Sequence, residues 1–208
     1  MRKQAKTMTD EQLAKLFAHV DQTSVVPERD KLIFLLSFGA GLRAAEIAKL
    51  DLSSLTDADG NIAKTIHVPT NVGKKKRSRD VPMNKEVAAA VRAFRLKYPG
   101  ATFVAFSSQP FRFAKIKPLG QFVPEYRRMS PNTVVVYMRE VMKQAGFDGC
   151  SSHSGRRTFG TRMARMANQH HCSLRDVQKL LGHARLDTTE RYVEVSDDAR
   201  SLVDALFA

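Results

Sequence analysis

Six side chains, spread over most of the sequence, are of the types that phosphodiester chemistry needs: Arg43, Lys74, His153, Arg156, His183 and Tyr192. Cleavage of a phosphodiester passes through a crowded, highly charged phosphorane-like state, so the first requirement is positive charge held in place. Arginine meets it best, because its planar guanidinium donates paired hydrogen bonds to phosphate oxygens and stays protonated at any physiological pH. Arg43 and Arg156 are the candidates. Each lies near a predicted helix start, where the dipole and the free N–H groups also favour an anion. Glu46, one helical turn after Arg43, is placed to orient it through its carboxylate. Taken alone, either arginine reads as an ordinary surface charge.

His153 and Arg156 are three residues apart on one predicted helix and so share a face, which puts the imidazole within reach of a phosphate that the arginine holds. A neutral His153 would take a proton from an attacking hydroxyl, and a charged one would donate to the oxyanion; the residues leave both roles open. His183 follows Gly182 at a predicted helix end and precedes Tyr192 by nine residues. A phenol with an ordinary pKa of about 10 needs nearby positive charge or a base before it can attack. The other tyrosines read as structural: Tyr98 ends a helix, Tyr126 sits in an irregular segment, and Tyr137 follows three valines on a predicted buried face. Cys150, His153, His170, His171 and Cys172 are zinc-type ligands, but CxxC and HxxxH spacings are both missing and two of the histidines are adjacent, so no metal site is assigned.

The elements that must position these residues are mostly helical. Thr9 with Gln12 forms a capping box before an amphipathic helix carrying Leu13, Leu16, Phe17 and Val20. Pro27 opens a second helix that Gly39 and Gly41 break, and Ala44 to Leu50 is a third, with Arg43 at its edge. From Ile62 to Met83 the pattern turns to β: IHVP and DVPM flank the basic segment Gly73 to Arg79, as in a small antiparallel sheet with a basic turn. Lys85 to Tyr98 is helical, and Phe103 to Phe106 reads as one more short strand. Residues 107–129, with Pro110, Pro118, Gly120 and Pro124 among basic and aromatic residues, read as a loop lying along a nucleic acid. Helices then follow from Pro131 to about Gly146 and over His153–Ala167, Leu174–Leu181, Thr189–Val195 and Asp197–Phe207. With no repeats and no linker-like tract, the expectation is one mainly α domain with a small antiparallel β-sheet near its first third.

The charge is uneven. The chain of 208 residues carries a formal net charge of +13, yet residues 187–208 hold six acidic residues against two basic ones, which leaves +17 on the first 186. Such a basic body implies a polyanionic partner, most simply nucleic acid. Two cysteines make no disulfide framework and fit a reducing cytoplasm. No apolar run approaches the roughly 20 residues of a membrane span, and the start MRKQAKTMTDEQ has no signal-peptide apolar region.

The strings GLRAAEIAKL at 41–50, SSHSGRRTFGTRMA at 151–164 and LLGHARLDTTERYVEV at 180–195 together resemble the catalytic domain of the tyrosine recombinase (phage integrase) family. The resemblance covers about residues 9–196. It implies a site-specific DNA recombinase in which Tyr192 forms a 3′-phosphotyrosyl bond and frees a 5′ hydroxyl, without metal, nucleotide or other cofactor. It also implies that Lys74, the first lysine after Gly73, is the hairpin general acid for the leaving oxygen, with Lys75 and Lys76 as alternatives in register. Lys75, Lys76, Arg77, Arg79 and Arg157 are then expected to contact DNA phosphates. The implied partners are double-stranded DNA with inverted-repeat half-sites, further copies of the chain as dimer to tetramer, and accessory DNA-bending proteins, in the cytoplasm and at the nucleoid. Type IB topoisomerase chemistry and an idle architectural DNA-binding protein are the competing classes; the complete residue set disfavours the second.

Two departures from the family pattern stand out. Gly155 replaces the leucine usual before the second-box arginine, which is expected to loosen packing without touching a catalytic group. Arg43 arrives too early for the N-terminal helical domain of many members, so the chain reads as an excised catalytic domain or as a minimal form like the fimbrial phase-switch recombinases, the latter favoured by Met1 and the capped first helix. Ser196 would cap a last helix with Ala199, Leu202, Val203 and Leu206 on one stripe, expected to dock on a neighbouring copy.

Overall fold

The computed structural model describes residues 5–69, 78–108, 112–115, 122–183 and 185–190, of which the side chains of 112–115, 122–125 and 168 are left aside. The expectations placed on Lys74, Lys75, Lys76, Arg77, Tyr192 and the 197–207 helix lie outside the described residues. The described chain forms α1 (Asp10–Thr23), α2 (Pro27–Phe38), α3 (Ala44–Lys49), β1 (Thr65–Val68), β2 (Arg79–Pro82), α4 (Lys85–Lys97), β3 (Arg112–Lys115), β4 (Phe122–Glu125), α5 (Pro131–Gln144), α6 (Ser154–Met166), α7 (Leu174–Leu181) and α8 (Asp187–Glu190). None of these helices is long and apolar enough to cross a membrane.

Local signals account for the helix starts. At α1 the Thr9 hydroxyl accepts from the Gln12 N–H and the Gln12 side chain accepts from the Thr9 N–H, pairing two donors that a helix start leaves open. Pro27 sits in the first turn of α2, Asn84 caps α4, and Ser130 with Pro131 starts α5. The centre of the core is α2. Leu32, Ile33, Phe34 and Leu36 are fully buried, and the helix packs against α1, α3, α4 and α6. It also buries an ion pair: Arg29 Nε donates to Asp30 at 2.8 Å and Nη1 to the Phe106 carbonyl at 2.5 Å, while Ser24 and Tyr137 hydroxyls donate to Asp30. The Arg29 guanidinium lies between the Phe106 and Tyr137 rings, 5.5 and 4.9 Å from their centroids, which ties α2 to α5.

The expected hairpin is present. β1 and β2 pair antiparallel from Thr65 opposite Pro82 to Val68 opposite Arg79, with Ile66, Val68 and Val81 facing the core. Three expectations need correction. Phe103 to Phe106 is no strand but two isolated bridges, Asp51 with Phe103 and Phe106 with Arg128, because the segment bonds briefly to residues 50–52 at one end and to 127–129 at the other, with Phe106 set in an aromatic cluster with Phe94, Tyr98 and Tyr126. Within 107–129, β3 and β4 form a second antiparallel ribbon, so the segment is not all loop and the described residues hold two small sheets rather than one. The helix expected from Thr189 begins at Asp187.

Gly155 does the opposite of loosening. It is buried where α6 crosses α2, and a Cβ there would lie 2.3 Å from Ser37 Oγ and 3.0 Å from the Ser37 carbonyl carbon. The two backbones approach so closely that only glycine fits. Nearby, the chain leaves α2 through Gly41 at φ +67, against the Phe159 ring of α6. Gly155→Ala should therefore cost about 1–3 kcal/mol of stability as overpacking, read from the urea midpoint. Adding Ser37→Gly should recover much of the loss; a single variant as stable as the parent would show that the crossing is loose.

Candidate active site

The site is built where α3 begins and α7 ends. Arg43 is the residue before α3, and its own backbone N–H donates to Glu46 Oε2 at 2.8 Å while Nη1 donates to Oε1 at 2.9 Å. The same carboxylate takes a forked pair from Arg79 at the start of β2, Nη1 to Oε1 and Nη2 to Oε2, both at 2.8 Å. Each carboxylate oxygen thus accepts two bonds. Burial by itself would raise the Glu46 carboxyl, but the hydrogen bonds and charge of Arg79, and then of Arg43, outweigh it and hold the pKa at about 2. Glu46 is a permanent anion between two cations. Of those cations Arg43 is the outward one, with 40% of its side chain exposed against 9% for Arg79.

At the other edge, α7 stops at Gly182, which takes the left-handed conformation at φ +62. A helix end leaves four carbonyls unpaired. Here the Gly182 N–H reaches Gln178 and Lys179, the His183 N–H reaches Gln178, Arg79 Nε donates to Leu180 at 2.9 Å, and Arg156 Nη2 donates to Leu181. Arg156, 3% exposed, also donates from Nη1 to the Gly41 carbonyl at 2.6 Å. It therefore spans from the segment that delivers Arg43 to the turn that delivers His183.

His183 is 9% exposed, and its Nδ1 lies 2.9 Å from the hydroxyl of Thr189, a fully buried residue of α8. Burial lowers the imidazole pKa to about 4, helped by the charges of Arg156, Arg43 and Arg79 against the opposing pull of Glu46. At neutral pH the ring is thus uncharged. The standing positive charge is arginine, and His183 contributes a hydrogen-bonding group that Thr189 orients.

The structure brings Arg43, Glu46, Arg156 and His183 together. His153 is the residue before α6, in right-handed conformation and exposed, and Arg156, one turn on, is buried. Arg79 is not an exposed phosphate contact, since its guanidinium is committed to Glu46 and to the α7 carbonyl. The β alternation carried that signal, because Arg79 shares a strand face with buried Val81. Arg157 is likewise turned away, with Nη1 donating to the Ala5 carbonyl at 2.8 Å. It belongs to a set on α6 that straps down the chain start, with Thr158 Oγ1 accepting from the Met8 N–H at 3.0 Å and Arg162 pairing with Asp10 at 2.7 Å. Sequence reasoning missed Thr189. Among the described residues, Cys150, His153, His170, His171 and Cys172 form no group of three that could share a metal.

A helical domain with two arginines, a caged carboxylate and a buried histidine converging from distant segments defines a class of protein, and comparison identifies it. Residues 6–199 match the phage integrase family, to which the chain belongs. It is 30% identical over 190 residues to tyrosine recombinase XerD of Neisseria meningitidis, covering 91% of this chain and 58% of that one. Tyrosine recombinase XerA of Pyrococcus horikoshii is 28% identical over 92% of this chain and 57% of its own. The chain thus spans somewhat more than half the length of these curated relatives. Among solved structures, the fold matches XerA recombinase with a TM-score of 0.67 at 21% identity, over 100% of this chain and 66% of that one. It also matches the Tn1549 transposon integrase in complex with transposon right end DNA, with a TM-score of 0.71 at 19% identity, over 100% and 67%.

The lowered His183 pKa sets a pH dependence. A group whose folded pKa lies below its unfolded value favours folding above the unfolded pKa and loses that contribution as pH falls through the folded one. Between pH 6.5 and about 4, His183 should therefore remove roughly 2 kcal/mol, after discounting for its nearness to solvent; Glu46 continues the loss from 4.5 towards 2. In urea titrations across this range, His183→Gln should show a shallower decline than the parent between pH 6.5 and 4. Parallel declines would show that His183 is not buried neutral.

Proposed function

We propose that this chain is the catalytic part of a site-specific DNA recombinase that cuts and rejoins strands through a 3′-phosphotyrosyl intermediate. The observation that carries the reading is the meeting of Arg43, Arg156 and His183, from three distant stretches of sequence, around one carboxylate-braced centre. In this reading the two guanidiniums hold the non-bridging oxygens of the scissile phosphate, and His183 donates a hydrogen bond to it. The Tyr192 oxygen attacks phosphorus as the bond to the 5′ oxygen breaks; His153 takes the phenol proton or donates to the oxyanion, and Lys74 protonates the leaving oxygen. Rejoining is the same path in reverse, with a 5′ hydroxyl from a partner duplex as nucleophile.

The described tyrosines support Tyr192 by elimination. Burial raises the phenol pKa of Tyr98, whose hydroxyl also donates to Glu28, of Tyr137, which donates to Asp30, and of Tyr126. All three are committed to the core and are poor nucleophiles. The recombinase names of the curated relatives favour strand exchange over topoisomerase-type relaxation, and the net charge of +13 fits duplex DNA as partner. We read the chain as one catalytic domain that assembles with further copies on paired inverted half-sites, its last helix at 197–207 docking on the neighbour, with DNA-bending proteins as accessories and the nucleoid as its place of action. Lys75, Lys76 and Arg77 remain the phosphate contacts of the basic turn.

Two experiments test the chemistry. On a suicide duplex nicked near the cleavage point, the parent should be trapped covalently and Tyr192→Phe should bind without being trapped; equal trapping would remove Tyr192 from the role. Lys74→Ala should slow cleavage of an ordinary duplex far more than that of one with a 5′-bridging sulfur, whose thiolate leaves without a proton. Equal slowing on both substrates would make Lys74 a phosphate contact only.

A further inference from the structure

We propose that Arg79 is a positioning residue for strand cleavage: its guanidinium joins the carboxylate that orients Arg43 to the helix end that delivers His183, and so holds the two in one frame. This rests on the recombinase reading above and goes beyond the residues that touch the phosphate in it.

Arg79 has the anatomy of a crossbar. Its forked pair grips both oxygens of Glu46, and its Nε reaches the Leu180 carbonyl at 2.9 Å. Arg156 makes a second crossbar between the same two regions, from the Gly41 carbonyl to that of Leu181. The two arginines therefore cap consecutive carbonyls of α7 and hold opposite ends of the short segment that bears Arg43. Arg79 is 9% exposed, and three of its five N–H groups are committed to Glu46 and to the Leu180 carbonyl.

The geometry also decides how Arg43 is presented. Glu46 could take Arg43 in a full fork–fork pair, which would turn that guanidinium into the protein. Because Arg79 takes the forked site, Arg43 keeps a single side-chain bond to Oε1 and 40% of its side chain remains exposed. The stem of Arg79 meanwhile fixes the turn before His183: Gly182 packs on it so closely that a Cβ would lie 2.9 Å from Arg79 Cδ. Arg79 also opens β2, two residues after Arg77 in the sequence. One side chain thus ties the hairpin, Arg43 and His183 together.

Arg79→Lys and Arg79→Gln separate positioning from charge and from stability. Lysine keeps the charge and much of the stem but cannot fork; if Arg79 only stabilised the fold, then at a temperature where circular dichroism shows the variant folded it would be captured on nicked duplex as fast as the parent. A positioning role predicts that Arg79→Lys, folded and at saturating DNA, is captured about 100-fold more slowly, the cost of an ångström-scale misplacement, with half-site affinity nearly unchanged. Parent-like capture by folded Arg79→Lys would overturn the proposal. So would a loss that saturating DNA restores, since that is how a phosphate contact behaves.

A second readout does not depend on cleavage. Titrated by NMR in the full chain, the His183 imidazole, which faces Arg43, Arg79, Arg156 and Glu46, should move up by about one unit or more in Arg79→Gln and should lose its Thr189 contact in Arg79→Lys. An unmoved His183 in both variants overturns the frame. If the parent itself fails to capture DNA, the recombinase reading falls, and this titration alone decides whether Arg79 holds His183 in place.

Discussion

The site depends on how one helix end is finished. The last four carbonyls of α7 carry the negative end of its dipole and need donors. Two find them locally, in the N–H groups of Gly182 and His183, and two find them in guanidiniums from β2 and α6. Because the distant donors are Arg79 and Arg156, satisfying the helix end also fixes where α3, β2 and α6 stand relative to it. A cap that most helices complete with one residue is here a junction of four elements. Water could satisfy those carbonyls equally well but would hold nothing in place.

Charge is arranged around that junction so that it cannot drift with pH. Arginine does not lose its proton in a protein, the Glu46 carboxyl at about 2 does not gain one near neutrality, and the His183 pKa at about 4 keeps the ring neutral. The centre therefore presents a constant positive field with one buried anion to aim it. In the proposed reaction a phosphate beside His183 would raise the imidazole pKa by adding negative charge.

Rigidity behind the site comes from α6. One side of it sends Arg156 inward, the opposite part holds the chain start through Thr158, Arg157 and Arg162, and Gly155 lets it approach α2 to backbone contact. The same helix thus binds the core and the strap at residues 5–10 and carries Arg156. Close packing of this kind resists displacement, because each neighbour is already at contact distance.

Much of this was legible in the sequence. Helix starts are written locally, in Thr9 with Gln12, in Pro27 and in Ser130 with Pro131, because capping is satisfied within three or four residues. The choice of Arg43, Glu46, Arg156 and His183 as candidates rested on residue type and surrounding strings, and the structure brings these four together. What the tertiary structure decided was direction and partnership. Sequence spacing put His153 and Arg156 one turn apart, and the structure adds that the first, just before α6, is exposed while the second is buried. Arg79 and Arg157 looked like surface charges, yet each is spent on a carbonyl or carboxylate brought from 33 to 152 residues away. Gly155 read as a defect until Ser37, 118 positions earlier in the chain, proved to occupy the space of its missing side chain. Residue types and local hydrogen-bond capacity are properties of a segment, whereas the identity of a distant partner, and the room it leaves, exist only once the elements have packed.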